Sequence, residues 1–118
     1  MRDEKNVNFF GTKSIFFVKS ISGTISILGI FARVLLDSGV THSFISTPFE
    51  EKLGRTLSKL PYTLSISTPM DETVRVSTCF KEFELLLGGK SLMVDLIPLA
   101  MEDFDIILGM DFLETYRQ

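Results

Sequence analysis

The 118-residue chain has one cysteine, one histidine and no tryptophan. A lone Cys79 rules out a disulfide within the chain. It suits a reducing compartment, so an intracellular, cytoplasmic setting is expected. One His and one Cys cannot build a His- or Cys-based metal cluster in a single chain. No such metal site is therefore expected. Neither sign of charge is in large excess, with 12 Lys and Arg against 15 Asp and Glu and a net charge of −3. No basic stripe with interleaved aromatics exists, so nucleic acid is not an expected partner. Long apolar runs are also missing. "ISILGIFARVLL" carries Gly29 and Arg33 and falls short of the roughly 20 residues that span a bilayer. The opening "MRDEKN" lacks the apolar core of a secretory signal. Neither a membrane partner nor a signal is expected. A phosphate-binding loop is absent too. "GGKS", Gly88 to Ser91, has Glu84 where that loop requires its first glycine, so it reads as a hairpin turn.

What is present is a chain with 45% hydrophobic and 23% charged residues, ordinary for one globular domain with one core. Residues 1–14 read as a flexible polar lead-in and 15–118 as the domain. Within it, period-two alternation dominates. Tyr62, Leu64 and Ile66 share one strand face, as do Val74 and Val76, then Phe83, Leu85 and Leu87, then Leu92, Val94 and Leu96. Repeated short alternating segments predict β structure. Gly88-Gly89 predicts one hairpin, "STPMDET" another, and a turn near Gly29 a third. Two short helices interrupt the pattern. "TPFE" predicts one over 48–53, with Thr47 as N-cap and Gly54 at its end. The other is predicted over 111–116, capped by Asp111. Asp105 reads as a solvated residue at a strand entrance, His42 as structural, and Cys79 as a small core hydrophobe.

One stretch resists a purely structural reading. "VLLDSGVTHSFIS" runs an apolar strand into Asp37, then into small residues, then into apolar ones again. Taken alone, Asp37-Ser38-Gly39 is an acid and a turn at a strand end. Flanked by apolar segments on both sides, the acid is costly unless it is hydrogen-bonded or partnered. Two carboxylates facing each other use that cost, because they share one proton and divide the roles of base and acid. A fainter echo follows, in which "DIILGMD" is again an apolar strand reaching a glycine before a short helix.

"LLDSGVTHSFIS" joined to "FDIILGMDFL" resembles the retropepsin-like aspartic proteases, most nearly those of Gypsy-class, plant-type long-terminal-repeat retrotransposons. The resemblance covers roughly residues 21–113. It implies an all-β, closed-barrel-like subunit with one or two short helices, forming one half of a two-fold enzyme. It implies that Asp37 is catalytic, that Ser38 braces the paired active-site loops, and that Gly39 permits the tight backbone beneath. Ile107, Leu108 and Gly109 match the strand behind that loop. Thr68, Pro69, Met70 and Asp71 match the flap that closes over a peptide. The implied enzyme is an endopeptidase acting as a homodimer, with no metal or cofactor. Water held between two Asp37 carboxylates attacks the peptide bond, and polyprotein processing is the implied task. Relatives continue into a further strand after the position of Gln118, so that strand is expected to be missing here. The competing expectation is an inactive member of the same fold, kept as a protein-binding or dimerisation module.

Overall fold

A computed structural model of the chain describes residues 3–8, 20–67, 72–87 and 89–116. Its strands are β1 (Asp3–Asn8), β2 (Ser20–Ile27), β3 (Ile30–Asp37), β4 (Phe44–Ser46), β5 (Ser58–Ser67), β6 (Thr73–Leu87), β7 (Lys90–Leu99) and β8 (Ile106–Leu108). Its helices are α1 (Thr47–Leu53) and α2 (Met110–Tyr116). The fold is mostly β with two short helices, as the alternation predicts. The eight strands form one mixed sheet in the order β1-β5-β6-β7-β4-β8-β3-β2. The sheet curls enough for β2 to pack against β6, although no pairing joins β1 to β2 among the described residues.

Local sequence explains the hairpins. β2 and β3 pair antiparallel from Ser20↔Asp37 to Ile27↔Ile30. The two residues between them, Leu28 and Gly29, have φ of 52° and 81°. Positive φ at both central positions is the turn that matches strand twist, and glycine makes the second one cheap. β6 and β7 pair down to Leu87↔Lys90, beside the predicted Gly88-Gly89 turn. β6 contains a bulge where Lys81 and Glu82 oppose Asp95, between the pairs Phe80↔Leu96 and Phe83↔Val94. Glu82 takes φ of 52° there, and its N–H donates to Asp95 Oδ1 at 2.8 Å.

Three sequence expectations shift. Asp3–Asn8, inside the stretch read as a flexible lead-in, forms β1 and lies parallel to β5. Polar alternation hid it, because an edge strand can gain its backbone hydrogen bonds without an apolar face. The N-cap of α1 is Ser46 rather than Thr47: its hydroxyl accepts from Phe49 N–H at 3.2 Å and its φ/ψ of −69°/141° is extended. Pro48 then falls in the first turn, and Gly54 closes the helix at φ 64° as expected. α2 begins at Met110, so Asp111 sits inside its first turn and is not the cap.

The middle of the sheet is apolar on both faces. Ile106 and Leu108 point into one core with Val34, Ile45 and Leu96, and with Phe49 of α1 and Phe112 of α2. Ile107 points into the other, with Val40, Phe44, Ile97 and Leu99. A strand buried on both faces must be a continuous apolar run, which is what "IIL" and "FI" are. No described helix is long and apolar enough to cross a membrane.

Candidate active site

β8 is the strand that positions the site. It enters between β3 and β4, parallel to β3 and antiparallel to β4. The register pairs Val34↔Ile106, Leu35↔Ile107 and Leu36↔Leu108. Carried one residue further, it sets Asp37 beside Gly109. The two echoing segments of the sequence are therefore neighbours in space, ending side by side.

Asp37 is buried, at 6% exposure. A carboxylate so placed needs donors. Its Oδ1 accepts from Gly39 N–H at 2.8 Å, and its carbonyl accepts from Val40 N–H at 3.2 Å. The loop thus folds back on its own acid. Ser38 and Gly39 are half-buried and Val40 is fully enclosed. Next to them, Thr41 Oγ1 and His42 Nδ1 lie 3.0 Å apart.

The loop is also sewn to the start of α2. The first turn of any helix has N–H groups with no partner inside the helix. Here two of them donate to carbonyls of the loop. Met110 N–H donates to Val40 O at 2.6 Å and Asp111 N–H to Thr41 O at 3.2 Å. Just before them, Gly109 N–H donates to Ser43 Oγ at 3.1 Å. Ser43 in turn donates its hydroxyl proton to Asp111 Oδ1 at 2.7 Å. The helix is capped by the loop, and the loop is held by the helix. Gly109 is the residue that lets them approach: a Cβ there would press on the carbonyl oxygen of His42 and lie 2.5 Å from that of Val40.

A family model of the retroviral aspartyl protease matches residues 17–118. The chain belongs to the retroviral aspartyl protease family. Comparison with curated proteins finds no match.

For a retroviral aspartyl protease, the sequence-selected residues fall in two groups. Asp37, Ser38, Gly39, Ile107, Leu108 and Gly109 come together at the paired ends of β3 and β8. Thr68, Pro69, Met70 and Asp71 lie outside the described residues. The strands leading to them pair as far as Ser67↔Thr73. Asp105 stands at the entrance of β8 as expected, half-buried, and it also acts as a linker. Its Oδ2 accepts from Arg33 N–H at 2.7 Å, its N–H donates to Arg33 O, and its carbonyl accepts from Ser46 N–H, both at 2.8 Å. It thereby ties β3 to the β4–α1 junction. Asp111 is bound to Ser43 across the loop. Sequence reasoning gave no role to Ser43, which is fully buried. The available signal was a serine inside the apolar run "SFI", where a hydroxyl needs a partner.

A cavity of about 290 Å³ lies between β7 and α2, lined in part by Glu82, Asp95, Asp111 and Phe112. Asp37 does not line it. Among the described residues, no three His, Cys, Asp or Glu side chains are grouped to hold a metal ion.

Proposed function

We propose that this chain is one half of an aspartic endopeptidase and that Asp37 supplies its catalytic carboxylate. The observation that carries the reading is a buried acid on a loop pinned to the start of α2, in a chain of the retroviral aspartyl protease family. Since the chain contains one Asp-Ser-Gly, the second carboxylate comes from a second copy. Two such acids face to face share one proton. One oxygen takes a proton from water as it attacks the scissile carbonyl. The other carboxyl protonates the carbonyl oxygen. On collapse a diol hydroxyl returns a proton to the pair, the C–N bond breaks, and the leaving nitrogen gains a proton from the pair. Ser38 braces the two loops. The segment Thr68-Pro69-Met70-Asp71 closes over an extended peptide, which pairs with backbone as an added strand. The substrate is a polypeptide with apolar residues near the cut, and the biological setting is polyprotein processing in a Gypsy-class retrotransposon, inside the cell.

The test combines solution mass with cleavage of a peptide library at mildly acidic pH across a range of protein concentrations. Specific activity is expected to rise with concentration and level off as dimer saturates. Full activity in a strictly monomeric sample contradicts a shared site. A dimer that cleaves nothing in the library favours a binding or dimerisation module on the same fold.

A further inference from the structure

The backbone bonds between the Asp37 loop and α2 use groups that every residue has. The link from Ser43 to Asp111 does not. Ser43 is enclosed, between the loop and the first residues of α2. Its hydroxyl has one proton, which goes to Asp111 Oδ1 at 2.7 Å, while its oxygen takes the Gly109 N–H at 3.1 Å. The same Asp111 Oδ1 also accepts from Phe112 N–H at 2.8 Å. The hydroxyl's direction is therefore set. Gly109 needs the oxygen as acceptor, so the proton must point to the acid. An oxygen at Asp111 that accepts two donors is in turn fixed against the helix. The loop between Asp37 and Ser43 is clamped at one end by Gly39 N–H on Asp37 Oδ1 and at the other by this pair.

Resting on the protease reading above, we propose that Ser43 and Asp111 form a positioning pair that holds the Asp37 loop in its working geometry. The pair acts by fixing the carbonyls of Val40 and Thr41 over the start of α2, which in turn fixes the turn that carries Asp37. The acceptor oxygen at Asp111 is what the pair requires, and the negative charge is not. Asparagine keeps that oxygen in nearly the same place, and alanine removes it. Small displacements of a reacting group cost much in rate, on the order of a hundredfold for about 1 Å.

The experiment compares Asp111→Ala, Asp111→Asn, Ser43→Ala and the Ser43→Ala/Asp111→Ala double variant in the full chain. Two measurements are made on each: steady-state cleavage of a library-derived peptide well below the thermal midpoint, and amide hydrogen exchange at Gly39 and Val40. Those two amides are bonded to Asp37 and to neither substituted residue. Asp111→Ala is expected to lower kcat about tenfold with KM within about twofold, and to speed exchange at Gly39 and Val40. Asp111→Asn is expected to restore both. The double variant is expected to be no worse than the poorer single one, since the two residues serve one link. Unchanged Gly39 and Val40 exchange in a folded Asp111→Ala chain overturns the proposal, whatever the activity. So does an asparagine variant as damaged as alanine, or a double variant with multiplied losses. A wild-type dimer that cleaves nothing defeats the protease reading alone, and exchange still decides whether the pair holds the loop.

Discussion

β3 and β8 run parallel, carry nearly the same apolar triplet and stop at the same level. One then delivers an acid, Asp37, and the other a glycine, Gly109. At the first, the side chain matters and the backbone is ordinary strand. At the second, the missing side chain matters, because the loop from the first strand lies across it. A loop that folds around a buried acid needs both the group and the space. Neighbouring strands with similar sequences supply one each.

The largest expected effect comes from removing the acid without disturbing the space. Asp37→Asn is nearly isosteric and retains an oxygen for Gly39 N–H. Cleavage is expected to vanish while the circular dichroism and thermal midpoint stay near wild type. Cleavage at the wild-type rate would remove Asp37 from the chemistry. Filling the space while keeping the acid comes next. Gly109→Ala forces a Cβ against backbone carbonyls that cannot swing away as a flexible side chain could. Overpacking of this kind costs about 3 kcal/mol, read as a shift of the urea midpoint. A midpoint within error of wild type would mean the loop is not seated on Gly109.

A third variant separates two reasons for a glycine. Gly29, at the far end of β3, has φ of 81° with nothing near its missing Cβ. Gly29→Ala strains only the backbone, by about 1.5 kcal/mol. Gly29→Asn is expected to cost less, because asparagine tolerates that region. If Gly29→Ala costs as much as Gly109→Ala, crowding is not what distinguishes the two glycines.

The smallest effect concerns Cys79, which shares the core of Ile107. Burial, then the nearby Asp95 carboxylate, push its thiol above the ordinary value of 9.0, with Lys81 opposing. The folded state thus favours the protonated form. Its contribution is full below the unfolded value and is lost as pH rises through the higher folded one. The thermal-midpoint difference between wild type and Cys79→Ala is expected to be flat to about pH 9 and to shift against wild type above it. A difference that stays constant to about pH 10.5 would show that the thiol titrates alike in both states.

The strands and turns were legible because their causes are local. Alternation in "EFELLL" and "LMVDLI" reports a half-buried pair, and Gly29 and Gly54 report positive φ. The cap of α1 was misread by one residue, since Ser46 and Thr47 are chemically equivalent as caps and only the backbone angle tells them apart. β1 was missed because its partner lies more than fifty positions away and nothing in "DEKNVN" announces it. Asp105 was read as a solvated residue at a strand entrance and Asp111 as a helix cap. Their partners, the Arg33 amide and the Ser43 hydroxyl, are about seventy residues distant.

The sequence by itself determined that the chain is β-rich, that Asp37 stands where an acid is expensive, and that two similar strand ends exist. These follow from side-chain periodicity and from the chemistry of single residues. The tertiary structure alone decided that the two ends lie together in parallel, that Gly109 is a seat for the loop, and that Ser43 and Asp111 meet. Those facts depend on β8 entering the sheet between β3 and β4. That placement is set by apolar burial on both faces of a strand, which constrains which strands may be neighbours only once the whole sheet is assembled.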